Sequence, residues 1–138
     1  MADGFDKLRV YAASLSGRLY KGLLRATLHL EAVTVGEAPT VTGNLRNHIN
    51  SYTIDQGLRS FGIVNIGADY AGYVIRGTGI YGPLKRRITP TTKKALRWVS
   101  GGAVYIRRSV KGQKPNPFHK RAWRKARAAI NRIFRSAL

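Results

Sequence analysis

Between Phe5 and Val33 the apolar residues Leu8, Tyr11 or Ala12, Leu15, Leu19, Leu23, Ala26, Leu30 and Val33 recur every three to four positions. That spacing lays them along one face of an α-helix. Gly17 and Gly22 lower helical propensity without supplying a second breaker, so the stretch predicts one long helix, bent if anywhere near those glycines. Gly36 and Pro39 end it. The rest of the 138-residue chain reads as shorter partners.

Those partners follow in order. Thr42 precedes GNLRNHI, where its hydroxyl can cap a short helix carrying Leu45 and Ile49. INSYTI and SFGIVNIGA read as two strands joined at DQGL, with Gly57 as the turn marker. Ile49, Tyr52, Ile54, Phe61, Val64 and Ile66 supply their apolar content in imperfect alternation. ALRWV and AVYIRRSV read as a second pair, separated at Ser100, Gly101 and Gly102. KGQKPNP reads as a turn or loose arm, and residues 83–94 and 109–117 are candidates for mobility. Pro117 suits the first turn of a final helix, whose stripe is Phe118, Ala122, Ala126, Ala129 or Ile130, and Ile133. Its opposite surface carries Lys120, Arg121, Arg124, Lys125, Arg127 and Arg132. The prediction is a single α+β domain over residues 1–138, with a long N-terminal helix, a small antiparallel β-sheet, a short central helix or turn and a basic C-terminal helix.

The 25 Lys and Arg against 6 Asp and Glu give a formal net charge of +19, far beyond what solubility needs. Up to Asp69 there are seven basic and six acidic residues, whereas from Tyr70 onward there are eighteen basic and none acidic. Such asymmetry predicts a polyanionic partner or acidic protein neighbours, met mostly by the second half. The absence of cysteine removes disulfide and thiolate chemistry and any Cys-based metal site. No apolar run approaches the roughly 18 residues of a membrane span, and MADGFDKLRV lacks the basic-then-apolar order of a signal peptide. A soluble intracellular product with no membrane partner is expected.

Residues 70–83, YAGYVIRGTGIYGP, invite a phosphate-loop reading because four glycines accompany Arg76. The run lacks the Lys followed by Ser or Thr that contacts phosphate and metal, and no βαβ unit frames a dinucleotide fingerprint. Gly77 and Gly79 instead suit backbone angles closed to other residues. Catalysis has as little to stand on. His29, His48 and His119 fall in three separate segments. Asp55 with Asp69 is the one acid pair that merits testing, and no serine sits in an activating motif. Neither enzymatic activity nor a metal or cofactor is expected.

Lys85, Arg86, Arg87, Lys93, Lys94 and Arg97 cluster after the glycine stretch, and Arg107, Arg108, Lys111 and Lys114 follow. Such a set binds backbone phosphate through charge neutralisation and counterion release, without a base code. Tyr81, Trp98, Tyr105 and Trp123 can stack on bases, but with no single-strand motif around them they read as core or interface anchors. On charge alone the chain reads as a small basic nucleic-acid-binding protein, or as a basic face that pairs with acidic neighbours.

Three blocks add a further reading. APTVTGNLRNHI contributes Ala38, Pro39, Thr42, Gly43, Leu45, Arg46 and Ile49. YAGYVIRGTG contributes Tyr70, Ala71, Tyr73, Val74, Gly77 and Thr78, and NPFHKRAWRKA contributes Pro117, Phe118 and Ala122. In this order, after a long helix, they resemble the tail-completion or head–tail joining family of minor structural proteins of long-tailed bacteriophages. The chain departs from that pattern at Val41, where the family often has aspartate, and at Ile75 and Arg76, where an acidic residue often follows the valine.

What the resemblance implies is an α+β virion protein, assembled in the host cytoplasm, that forms a homo-oligomeric ring of six or twelve copies in the neck at the head–tail junction. Its partners would be portal, connector or stopper and tail-terminator proteins, with double-stranded DNA passing through the channel during ejection without sequence recognition. Tyr70, Tyr73, Arg76, Gly77, Thr78 and Tyr81 would form a rigid turn at the oligomer interface. Lys85, Arg86, Arg87, Lys93, Lys94, Arg107, Arg108 and Lys111 would meet DNA or an acidic neighbouring ring.

Overall fold

The computed structural model describes residues 4–40, 43–57 and 59–138. The expected cap Thr42, and Val41 beside it, lie outside the described residues. The architecture is α+β. Helix α1 (Gly4–Glu37) leads to a four-residue α2 (Asn44–Asn47), strands β1 (Ile49–Asp55) and β2 (Ser60–Ile66), and a short α3 (Ala71–Arg76). A single 3-10 turn at Gly79–Tyr81, strands β3 (Leu96–Ser100) and β4 (Ala103–Arg107), and helix α4 (Phe118–Ala137) complete it. Each strand pair is its own two-stranded antiparallel sheet. The chain divides into two compact units, Met1–Ala68 with Phe118–Leu138, and Asp69–Pro117.

In the first unit α1 and α4 pack antiparallel. Glu37, the last residue of α1, meets Arg121 at 3.2 Å and also Lys125, both early in α4. At the other end Arg18 donates to the Leu138 carbonyl at 3.3 Å. Small side chains let the helices approach: a Cβ added to Gly22 would lie 3.1 Å from that of Ala137. Ala26, Ala126 and Ile130 form the buried cluster, flanked by Leu30, Val33, Ile133 and Phe134. The stripe read on α4 is the one buried, namely Phe118, Ala122, Ala126 and Ile130. Phe118 is 0% exposed, and burying a phenylalanine fully contributes about 1.5–3 kcal/mol.

The ion pairs resolve a local conflict. A carboxylate at a helix C-terminus and cations near a helix N-terminus each oppose the helix dipole, and the antiparallel arrangement turns them toward one another. Lys125 and Arg121 hold the Glu37 carboxyl below the usual carboxylate range.

The long stripe on α1 is covered along only part of its length. α4 runs out beside Arg18, and Leu8 and Tyr11 remain 65% and 61% exposed, with Leu15 partly so. The β1–β2 hairpin packs on a different side of α1. Thr53 pairs with Gly62, Ile54 with Phe61 and Tyr52 with Ile63. The Tyr20 and Thr53 hydroxyls are hydrogen-bonded at 3.0 Å, Ser51 donates to Glu31, and a Cβ added to Gly62 would overlap Thr27 Oγ1. The hairpin therefore turns Ser51, Thr53 and Gly62 toward the helix, together with the buried Ile49 and the half-buried Val64 and Ile66 on the same face. Its outward face carries Tyr52, Ile54, Phe61 and Ile63, the first three of them exposed.

Candidate functional site

The glycine stretch builds the frame of the second unit. YAGYVIR is not all turn: Ala71–Arg76 form helix α3, with Ala71 and Val74 buried and Tyr73 exposed on the opposite side. The chain then breaks at RGTG, where Gly77 and Gly79 have φ of 80° and 63°, a region that β-carbons disfavour. Here it crosses the KGQ segment at backbone distance. Thr78 N donates to the Gln113 carbonyl at 2.9 Å and Ile80 N to the Lys111 carbonyl at 2.8 Å. Gln113 N in turn donates to Thr78 Oγ1 at 2.9 Å.

Gly112, also at positive φ, supplies the other half of the crossing. A Cβ on Gly79 would overlap the Lys111 carbonyl, and one on Gly112 the Thr78 carbonyl. Residues 109–117, a candidate for mobility that includes KGQKPNP, read as a turn or loose arm, are thus tied down. Asn116 N donates to the Val74 carbonyl, and Ile88 and Val110 form a two-way backbone bridge. The partners at RGTG and KGQ lie more than thirty positions apart, so no local pattern announces them.

Beside the crossing lies a cleft of about 700 Å³. Tyr73, Pro83, Leu84 and Ile88 give it apolar walls, the glycines leave bare backbone, and Arg86 and Arg87 supply charge. Arg87 Nε donates to Ser109 Oγ at 2.9 Å, which restrains its guanidinium. Lys85 sits at φ 47°, the one left-handed non-glycine among the described residues, at the turn that presents the two arginines.

The remaining cations of the predicted set occupy the same unit. Lys93 and Lys94 are exposed ahead of β3, Arg107 closes β4 with Arg108 after it, and Lys111 lies in the crossing segment. This unit carries eleven Lys or Arg and one acidic residue, Asp69, a formal charge of +10. Its β3–β4 ribbon is exposed along its whole length apart from Leu96. Trp98 and Tyr105 stack on one face with ring centres 5.5 Å apart, and Val99, Val104 and Ile106 occupy the other.

The predicted interface residues separate into two roles. Gly77 is buried and Thr78 is engaged inside the chain, so both build the frame. Tyr70, Tyr73 and Tyr81 stand exposed, with Lys114 Nζ 5.9 Å from the centre of the Tyr81 ring. Arg76, also exposed, bends back toward the Gly72 carbonyl at 3.5 Å, on its own helix.

Elsewhere, Asp55 accepts from Gly57 N and Ser60 Oγ and so organises the β1–β2 turn. His119 has a buried Nδ1 without a hydrogen-bond partner, and burial together with neighbouring Lys120 lowers its pKa. On α4, Lys120, Arg124, Arg127 and Arg135 line one exposed stripe at helical spacing. Among the described residues no three metal-ligating side chains gather in one place, and no helix is long and apolar enough to cross a membrane. Compared with family models, with curated proteins and with solved structures, the chain matches none.

Proposed function

We propose that this chain is a structural subunit of the neck of a long-tailed bacteriophage virion. It forms a ring at the head–tail interface, completes the tail or joins it to the portal or connector, and surrounds the DNA path. The observation that carries the proposal is the apolar surface the folded chain leaves uncovered. A two-stranded ribbon that exposes Trp98, Val99, Val104, Tyr105 and Ile106 is marginal by itself, and uncovered apolar patches of this kind mark assembly surfaces. Tyr73, Tyr81 and Leu84 add to it in the same unit.

The charge supports the second half of the reading. With one carboxylate against eleven cations, the unit has almost nothing of its own to neutralise it, and a polyanion running past a ring of such subunits would do so. Lys93, Lys94, Arg107 and Arg108 suit phosphate contact without base recognition, as a conduit that must not grip one sequence requires. The basic stripe on α4 favours a second reading, a small nucleic-acid-binding protein with no virion role.

Native mass measurement at moderate salt, followed by negative-stain imaging, separates the two. Six or twelve copies in a closed ring are expected. A chain that stays monomeric or dimeric in the presence of connector and tail proteins, yet binds random duplex DNA, would sink the neck reading.

A further inference from the structure

We infer that copies of this chain join head to tail, the exposed stripe of one copy's α1 lying on the outward face of the next copy's β1–β2 hairpin. The inference rests on the ring reading and names its contact. On one side stand Leu8, Tyr11 and Leu15; on the other stand Tyr52, Ile54, Phe61 and Ile63.

Charge selects these two faces. In a chain with 25 Lys and Arg, two copies can approach only where cations are absent. The outward hairpin face reads Asn50, Tyr52, Ile54 on β1 and Phe61, Ile63, Asn65 on β2, without a charged residue. The stripe of α1 through Leu8, Tyr11, Ala12, Leu15 and Leu19 has none either. Neither face offers a cation to a phosphate.

Continuity supplies the second argument. The open stripe prolongs the one that α4 covers at Ala26, Leu30 and Val33, so it is the same kind of packing surface left without a partner. From Leu8 to Leu19 it runs about 17 Å at the helical rise, enough to span the four cross-strand neighbours. The five exposed side chains, at on the order of 100 Å² each, with the half-buried Leu15 and Ile63 adding less, give roughly 600 Å², below the total of a standard interface. One such contact is therefore weak, and ring closure, in which every copy gives one face and receives the other, supplies the rest. Because the two faces differ, the contact can pass from copy to copy and close into a ring.

The absence of cysteine makes the test direct. Under mild oxidation the double variant Leu8→Cys/Phe61→Cys should form a ladder of linked copies, whereas either single variant should not extend past a dimer. Leu8→Asp/Tyr11→Asp and Phe61→Asp should each lower self-association at least about tenfold. Mixed together they retain one intact pair of faces and should associate no further than one-to-one dimers. Circular dichroism should show both folded, as expected for exposed positions, and the cysteine ladder reads the contact independently of them. Rings from Phe61→Asp as stable as those of the parent chain, or crosslinks that join only the α1 stripes of two copies, would each overturn this contact. A parent chain that never forms rings would overturn the ring reading as well.

Discussion

Replacing Gly79 with alanine tests whether the RGTG–KGQ crossing holds the second unit together. The change places a side chain at φ 63°, which costs about 1–2 kcal/mol by backbone sterics. The new Cβ also overlaps the Lys111 carbonyl, so the two segments must separate. Separation loses the bonds from Ile80 N to Lys111 and from Thr78 N to Gln113, at 2.8 and 2.9 Å, at about 1 kcal/mol each. The sum is about 3–4 kcal/mol. Gly101 is the control. It has φ 56° and open space where a Cβ would go, so Gly101→Ala should cost only the backbone term of about 1–2 kcal/mol.

Native-state hydrogen exchange reads the difference locally. In Gly79→Ala the amides of Thr78, Ile80 and Gln113 should exchange about a hundredfold to a thousandfold faster, following the tenfold change that each 1.36 kcal/mol produces. In Gly101→Ala they should stay protected. Equal protection in the two variants would refute the crossing as the restraint on this unit.

Gly62→Ala should destabilise the first unit by about 1–3 kcal/mol through overpacking against Thr27. Thr27→Ala should restore at least about 1 kcal/mol of that in the double variant, a coupling that urea denaturation of all four members of the cycle measures. His119 predicts a pH dependence. Burial and Lys120 depress its folded pKa below the usual 6.5, so the unfolded chain binds the proton more readily. That contribution is fully present above about pH 6.5 and is lost as pH falls through the folded value; His119→Gln should flatten the decline of stability between pH 7 and pH 5, roughly the window around that reference value. Changing Lys93, Lys94 and Arg108 to alanine should reduce the slope of log binding constant against log salt for random duplex DNA by roughly 2–3. An unchanged slope would remove them from the phosphate face.

Much of the architecture was legible because periodicity is local. The stripes of α1 and α4 and the alternation around Trp98 and Tyr105 depend on neighbours within a few residues. Gly77 and Gly79 were readable as positions of unusual φ, but their partner Gly112 was not, because the crossing joins segments far apart in sequence. The β1–β2 hairpin shows a different limit. Its imperfect alternation gave no reason to expect Ser51, Thr53 and Gly62 against the helix and Tyr52 and Phe61 outside. Close approach of α1 at Thr27 leaves room only for the face that carries Gly62, where Ile49, Val64 and Ile66 supply the apolar burial. For the site, the clustering of Lys85, Arg86 and Arg87 was plain in the sequence, while the apolar cleft beside two of them arises from the turn at Lys85 and the crossing behind it.

Charge and uncovered apolar surface together make opposite demands on salt, and that opposition distinguishes the two kinds of partner proposed for the chain. The proposed contact between copies would join uncharged faces while bringing net charges of +19 together, so raising salt screens the repulsion and should strengthen self-association. Contact with DNA releases counterions, so raising salt should weaken it. A polyanion also acts as a ligand that favours the assembled state, because it neutralises charge that isolated copies can leave to solvent ions. Short duplex DNA added below the salt at which the chain associates alone should therefore promote rings. The same DNA added at high salt, where repulsion is already screened, should have little effect. A protein that only bound nucleic acid would lose both its complexes and its higher-order species together as salt rises, and that outcome would leave the uncovered faces of α1, β1–β2 and β3–β4 without the role argued for them.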